Sequence, residues 1–198
     1  MSTLTILIIR HGEKPDPDDP TLGDGLTQAG APNKHSLVVR GWQRAGSWAA
    51  LFGPGNASAD YPVPDAVFAA NPCASPDPSD ADASLSKRPW QTILPLCGRL
   101  RITPVTQYGV GDENPMLDAV RTLTGTVLIC WEHKRIAEVI LPELARGQTL
   151  PQLPARWRSE RFDVVLRFDR AQSSAGWRFR QMFPRLLSGD SDTPLPTQ

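Results

Sequence analysis

Apolar and polar residues follow each other along the chain in a pattern that predicts an α/β domain. Residues 4–9 form a short apolar run rich in isoleucine, which is typical of a strand buried on both faces. A second clear run of this kind covers residues 126–131. Weaker strand patterns cover 65–70 and 102–108, and the alternating segments 161–169 and 176–182 predict an antiparallel hairpin.

Helical spacing of apolar residues separates these strands. It predicts helices over 38–52 and 88–96, a third that begins at Asn114, and a fourth after residue 133. Ser86 is the expected N-cap of the second helix, and Pro95 is expected to kink or shorten it. The resulting order, β-α-β-α-β-α-β-α-ββ, predicts a three-layer α/β/α sandwich with a mostly parallel sheet and an antiparallel C-terminal hairpin.

Loops and termini complete this organisation. Residues 14–33 and 71–84 are rich in Pro, Asp, Gly and Ser and are expected to be long loops. Residues after Ser188 are expected to form a frayed, irregular tail. Because the 198 residues contain no internal repeat and no linker, we expect one domain that spans 1–198.

Composition narrows the classes of function. The formal net charge is zero, which argues against nucleic acid or an anionic membrane surface as the main partner. No apolar run reaches bilayer length and the opening run has no basic leader, so a cytoplasmic protein is the expectation. Cys73, Cys97 and Cys130 have no CxxC spacing, which indicates neither a disulfide framework nor a zinc site. Nothing in the sequence indicates an oligomeric state.

The candidate chemistry begins where the first strand ends, at Arg10, His11 and Gly12. Arginine offers a planar fork of donors, histidine a nucleophile near neutral pH, and glycine a close approach of the backbone. Arg88 stands in the first turn of a helix, where a cation is unfavourable unless an anion is bound there too. His133 follows the strand at 126–131, so these side chains are expected at one edge of the sheet, around a phosphate.

Four segments together resemble the histidine phosphatase superfamily, the phosphoglycerate-mutase-like group, in order and spacing up to about residue 144. Residues 7–13 (LIIRHGE) match its RHG signature, and 40–45 (RGWQRA) are similar to the helix after its first loop. Residues 86–92 (SKRPWQT) resemble its second arginine motif, and 127–133 (VLICWEH) its second-histidine strand.

This resemblance implies a phosphoglycerate-mutase-like fold and a metal-independent phosphatase without a cofactor. It further implies that His11 attacks phosphorus and becomes a transient phosphohistidine, while Arg10, Gly12, Arg88 and His133 hold the phosphate. One ring nitrogen of His11 then needs an acceptor, for which a backbone carbonyl is expected. The substrate that the resemblance implies is a phosphomonoester, either a small molecule or a phosphoprotein. Because Lys14 and the proline after it stand where mutases carry Ser and Asn, a phosphatase is favoured over a mutase.

The general acid is assigned by position alone. The resemblance favours Glu113, with Asp112 next, because both follow the third predicted strand. Glu132 precedes His133, and alternation along a strand aims it at the opposite face unless the strand has already ended.

Other interpretations stay open at this point. A phosphohistidine protein phosphatase needs little acid catalysis, and a non-catalytic phosphate-binding module needs none. His35 is expected to play no chemical role, and Arg40 and Arg44 are expected to be solvated helix residues or to border the pocket.

Overall fold

The opening apolar run forms the central strand of a five-stranded sheet. In the computed structural model, which describes residues 3–72, 86–171 and 176–197, the strand order is β2-β3-β1-β4-β5. The strands are β1 (Thr3–Arg10), β2 (Ala66–Ala69), β3 (Gly125–Trp131), β4 (Val165–Ala171) and β5 (Arg178–Met182).

The sheet is mixed rather than mostly parallel. β1 and β2 both pair with β3 in parallel, while β4 pairs antiparallel with β1 and with β5, as the hairpin pattern predicted. The strand predicted over 102–108 is absent, and the segment makes one isolated bridge, from Val105 to Phe68. Val105 donates to the carbonyl of Val67 and accepts from the N–H of Ala69, so the segment lies along the outer edge of β2 without forming a continuous ladder.

Four helical segments flank the sheet. They are α1 (Val39–Leu51), α2 (Arg88–Leu100), α3 (Glu113–Arg121) and α4, which covers 133–144. α4 starts with His133–Arg135, passes through a π-helical turn at Ile136–Ile140 and ends with Leu141–Leu144. Pro142 lacks an N–H and its ring crowds the carbonyl four residues earlier, which favours the wider turn before it. A short 3₁₀ turn, Pro20–Leu22, lies in the first loop.

The two faces of β1 bury alternate side chains under different helices. Ile6 and Ile8 belong to the core cluster beneath α3 and α4, whereas Leu7 and Ile9 belong to the cluster beneath α1 and α2. All four are fully buried. Helices therefore cover both faces of the sheet, which is the layering that the sequence predicted.

Several local predictions are corrected by the structure. α2 continues past Pro95 to Leu100, and it starts after Lys87, which makes no side-chain cap, instead of being capped by Ser86. α3 begins at Glu113, with Asp112 rather than Asn114 at its N-cap. The predicted loop over 71–84 and Cys73 fall largely outside the described residues.

The C-terminal tail is irregular, as predicted, yet it is anchored rather than frayed. Residues 183–197 form no helix or strand. Leu195 is only 1% exposed, and the backbone N–H of Leu195 donates to the side chain of Gln181 on β5. Burial of one apolar side chain and pairing of the backbone hold the tail on the sheet.

Candidate active site

A cleft of about 570 Å³ opens where β1, β3 and α2 come together. Arg10 and Trp131 are register partners at the carboxyl ends of two parallel strands, so the residues that follow each strand become neighbours. His11, Arg88 and His133 all line this cleft, and Lys14 and Glu132 line it as well. The structure thus brings together side chains that lie far apart in the chain.

The ring of His11 is held as one tautomer. Its Nδ1 lies 2.8 Å from the carbonyl oxygen of Gly12, which can only accept, so Nδ1 carries the proton and Nε2 keeps a free lone pair. The expectation that a backbone carbonyl holds one ring nitrogen is confirmed. Burial, followed by the positive charge of Arg10, holds the pKa of His11 well below its usual value. At neutral pH His11 is therefore an uncharged base or nucleophile.

The backbone of Gly12 is fixed by its neighbours. Its N–H donates to the hydroxyl of Thr92 at 2.8 Å, and that hydroxyl donates to the carbonyl of Arg88 at 2.7 Å. A side chain at Gly12 would meet the backbone oxygen of Gly41 at 2.8 Å. The sequence predicts that Gly12 holds phosphate, and this stays a prediction; in the structure its N–H is bonded to Thr92 and its backbone packs against Gly41.

Arg10 is completely buried beside His11. Its Nη1 donates to the carbonyl oxygens of Ser159, at 2.5 Å, and Arg161, at 3.2 Å, and its guanidinium lies 3.8 Å from the ring centroid of Phe162. The Nε and Nη2 atoms find no hydrogen-bond partner among the described residues. Burial lowers the pKa of Arg10 to about 10, which leaves it charged at neutral pH. Two donors of a buried cation are therefore left for an anion.

Arg88 is the first residue of α2 and is half-buried at the rim of the cleft. Its Nη2 donates to the carbonyl of Lys34 at 2.6 Å, and its Nε lies 3.4 Å from the carbonyl of Ser36. These bonds hold the guanidinium of Arg88 against the first loop.

Glu132 is the carboxylate that the structure brings into the cleft. β3 ends at Trp131, so strand alternation no longer directs Glu132 away from the site. Its Oε1 lies 2.6 Å from Nδ1 of His133, out of line for a well-formed hydrogen bond, and its Oε2 accepts from the N–H of Arg135 at 2.9 Å. Burial raises the pKa of Glu132, but the His133 contact and the backbone bonds outweigh it and bring the pKa to about 2.

Glu113 does not line the cleft but forms a buried ion pair with Arg135, which does. Its carboxylate accepts from Nε1 of Trp131 at 2.9 Å and from Nε and Nη2 of Arg135 at 2.9 and 2.6 Å. Burial opposes its charge, but these bonds lower its pKa below the usual value. Asp112 is exposed and accepts from the N–H of Gly109. Neither of the two carboxylates favoured from the sequence lines the cleft, because α3 turns both toward other partners.

A buried ion network behind His11 was not anticipated from the sequence. Arg44 is only 2% exposed rather than solvated, and it donates to Glu13 at 2.8 Å and to both oxygens of Asp190 at 2.6 and 2.7 Å. Arg40 joins it, with its Nε 3.3 Å from Glu13. Glu13, the arginines of α1 and Asp190 are too far apart in sequence to be linked by pattern. A charged residue at a helix position that faces the core is nevertheless a signal for such a pair.

Comparison with known proteins adds no family to these observations. The chain matches no protein-family model and no curated protein. Across 3–72, 86–171 and 176–197, no helix has the length and apolar character to cross a membrane. Within the same ranges, no three His, Cys, Asp or Glu side chains are arranged to hold a metal ion.

Proposed function

We propose that this chain is a histidine-type phosphatase with a phosphoglycerate-mutase-like fold, which hydrolyses phosphomonoesters through a phosphohistidine at His11. The observation that carries the proposal is the pairing of a neutral His11, with Nε2 free, and a buried Arg10, with two donors unpartnered among the described residues. Arg88 and His133 add cationic and hydrogen-bonding groups to the same cleft. Such a site suits a tetrahedral oxyanion next to a nucleophile.

The reaction proceeds in two displacements. Nε2 of His11 attacks phosphorus, the bond from phosphorus to the leaving oxygen breaks, and the leaving group departs with the bonding electron pair. Water then attacks phosphorus, the bond from phosphorus to Nε2 breaks and returns its electron pair to His11, one proton of the water passes to solvent, and inorganic phosphate leaves. Arg10, Arg88 and His133 bind the non-bridging oxygens, since phosphoryl transfer depends mostly on positioning and on preorganised positive charge.

The carboxylates of the site favour a particular kind of leaving group. Glu132 lines the cleft but is ionised, with its pKa near 2, and Glu113 is paired with Arg135. Neither holds a proton to donate at neutral pH before substrate binds. The site therefore favours substrates whose leaving group departs without protonation, such as aryl phosphates. It also favours substrates whose leaving nitrogen is already protonated, such as phosphohistidine in proteins. In this account Glu132 orients His133 through the contact at Nδ1.

An aryl phosphate assay with acid trapping tests the proposal. The wild-type protein is expected to release phosphate from 4-nitrophenyl phosphate and to carry acid-labile label from a ³²P-labelled aryl phosphate. His11→Ala is expected to abolish both. His35→Ala is the matched control, because the His35 side chain lies outside the cleft, and it is expected to keep both. Tight vanadate binding without turnover or label would instead favour a non-catalytic phosphate-binding module.

The role of Glu132 separates the two classes of substrate. If Glu132 only orients His133, Glu132→Gln is expected to lower kcat/KM for an aryl phosphate and for phosphoramidate by a similar factor. If Glu132 is the general acid, the loss is expected to be much larger for an alkyl phosphate, whose leaving group needs a proton, than for phosphoramidate.

A further inference from the structure

A second cavity of about 380 Å³ adjoins the cleft and has the opposite electrostatic character. Lys14 lines both spaces. Phe162 lines the second cavity, and its ring centroid lies 6.1 Å from that of His11, which lines the cleft. We call this space the acidic cavity. Its acidic lining residues are Glu13, Asp16, Asp19, Glu160, Asp163 and Asp190.

Most of the basic residues that line the acidic cavity form ion pairs with acidic residues of the same cavity. Arg44 pairs with Glu13 and Asp190, and Arg161 pairs with Asp163. Arg40 lies 3.3 Å from Glu13. These three arginines are therefore matched by the buried acids of the cavity.

Three further carboxylates of the acidic cavity have no such match. Asp16, Asp19 and Glu160 make no ion pair with any residue in the described part of the chain. Asp16 and Asp19 accept only local hydrogen bonds from Asp18 and Thr21 in the first loop. Lys14 is the remaining basic residue of the acidic cavity and also lines the cleft, and the charge of Glu160 also acts on Arg10.

Glu13 supplies the second observation that points to a ligand. The residue is 4% exposed, lines the acidic cavity and uses its Oε1 for both arginines. Its Oε2 is buried and has no hydrogen-bond partner among the described residues. A buried carboxylate oxygen without a hydrogen-bond donor destabilises the folded protein. A bound N–H group would remove this free-energy cost.

We propose that the acidic cavity binds a primary ammonium group, next to the phosphate in the cleft. An ammonium ion offers three donors and a compact positive charge, which fits one buried oxygen and a rim of unpaired carboxylates. The inference rests on the proposed function insofar as the substrate is then a phosphomonoester that carries an amine. The cleft, where basic side chains outnumber acidic ones, takes the phosphate, and the acidic cavity takes the amine.

The first experiment compares an ester that carries the amine with one that does not. Wild-type kcat/KM for O-phosphoethanolamine is expected to exceed that for ethyl phosphate by about tenfold or more. A hydrogen bond between charged groups contributes a free energy that corresponds to this ratio. A control supplies the amine as a separate molecule, by adding ethylammonium to ethyl phosphate. The kcat/KM for ethyl phosphate is expected to be the same with and without ethylammonium. In Asp16→Asn/Glu160→Gln the preference is expected to disappear while ethyl phosphate turnover stays within twofold.

The matched control removes the same charge elsewhere. Asp18→Asn/Asp192→Asn replaces two exposed acids that line neither cavity, and it is expected to keep the preference. Equal kcat/KM for the two esters in the wild-type protein would overturn the proposal. So would loss of the preference in the control variant, because long-range charge alone would then explain it.

The second experiment does not depend on catalysis. In a ¹H–¹⁵N NMR titration, ethylammonium is expected to shift the amides of the non-proline residues in 13–19 and of 159–163, and Asp16→Asn/Glu160→Gln is expected to abolish the shifts. Ethylammonium without effect on these amides would overturn the subsite. If no phosphate ester is bound or hydrolysed, the proposed function fails, and the ethylammonium titration still decides the subsite.

Discussion

At the residue scale, the surroundings of His11 set its protonation state. Its Nδ1 is bonded to Gly12, and Arg10 lies buried beside it with two donors unpartnered among the described residues. The sequence places Arg10 and His11 next to each other, but the burial that lowers the pKa of both comes from β3, α2 and the segment around Phe162. A nucleophilic imidazole at neutral pH is therefore a product of packing.

The depressed pKa of His11 predicts a pH-dependent stability. Below pH of about 6.5 the unfolded chain binds a proton at this histidine while the folded protein does not, so stability falls as the pH falls. The slope is expected to reach about 1.4 kcal/mol per pH unit until the folded pKa is reached. His11→Gln is expected to flatten this part of the curve, measured by urea unfolding between pH 5 and 7.5.

The wild-type protein, measured in the same buffers, is the reference for this comparison. Identical slopes in the wild-type protein and in His11→Gln would show that His11 is protonated equally in both states.

Thr92 links the loop after β1 to the first turn of α2 through one hydroxyl, and its removal is the second residue-scale prediction. Thr92→Val leaves the buried N–H of Gly12 without its acceptor, at a cost of about 1–3 kcal/mol. Because His11 bonds to the carbonyl of Gly12, kcat is expected to fall more than KM rises. Thr92→Ser keeps the hydroxyl and is expected to restore both stability and kcat. A serine variant as impaired as the valine variant would assign the effect to lost packing of the methyl group.

At the element scale, the close crossing of the loop after β1 and helix α1 shapes the site. Gly12 and Gly41 face each other backbone to backbone, and a side chain at Gly41 would overlap the carbonyl oxygen of Glu13. The sequence places glycines at both positions and a helix over 38–52, but it does not show that the two meet. That contact depends on how α1 packs on the sheet.

Two glycines in α1 give a matched test of this crossing. Gly41→Ala is expected to destabilise the protein by about 1–3 kcal/mol, because the loop backbone must move to admit the methyl group. Gly46→Ala, where no atom lies within 4 Å of the new carbon, is expected to stabilise it by about 0.5–1 kcal/mol through helix propensity. Thermal unfolding of both variants checks the signs. Similar effects at both positions would show that the crossing is not close.

At the scale of the whole molecule, the C-terminal segment supports the site from behind. Asp190 binds Arg44, and Arg44 binds Glu13, two residues after His11. The tail was expected to fray because its composition is polar and irregular. It is held because Asp190 satisfies a buried guanidinium that no nearby residue in the sequence could satisfy.

Asp190→Asn is therefore expected to cost about 2 kcal/mol, since it removes the charge partner of a buried arginine. It is also expected to lower kcat, because the loop after His11 loses its support. Asp192→Asn changes the same residue type in an exposed pair with Arg185 and is expected to cost less than about 0.5 kcal/mol. Urea unfolding and the aryl phosphate assay measure both effects. Equal stabilities of the two variants would contradict the anchoring role of Asp190.

The sequence by itself determined the elements whose apolar pattern is strong. β1, β3, α1 and the C-terminal hairpin follow from apolar periodicity, and the ends of β1 and β3 indicated where His11 and His133 lie. Tertiary structure alone decided which polar partners meet. It turned Glu113 to Arg135, brought Glu132 into the cleft and joined Asp190 to Arg44. Periodicity records which face of an element is buried, whereas ion pairs between distant segments depend on how those faces pack against each other.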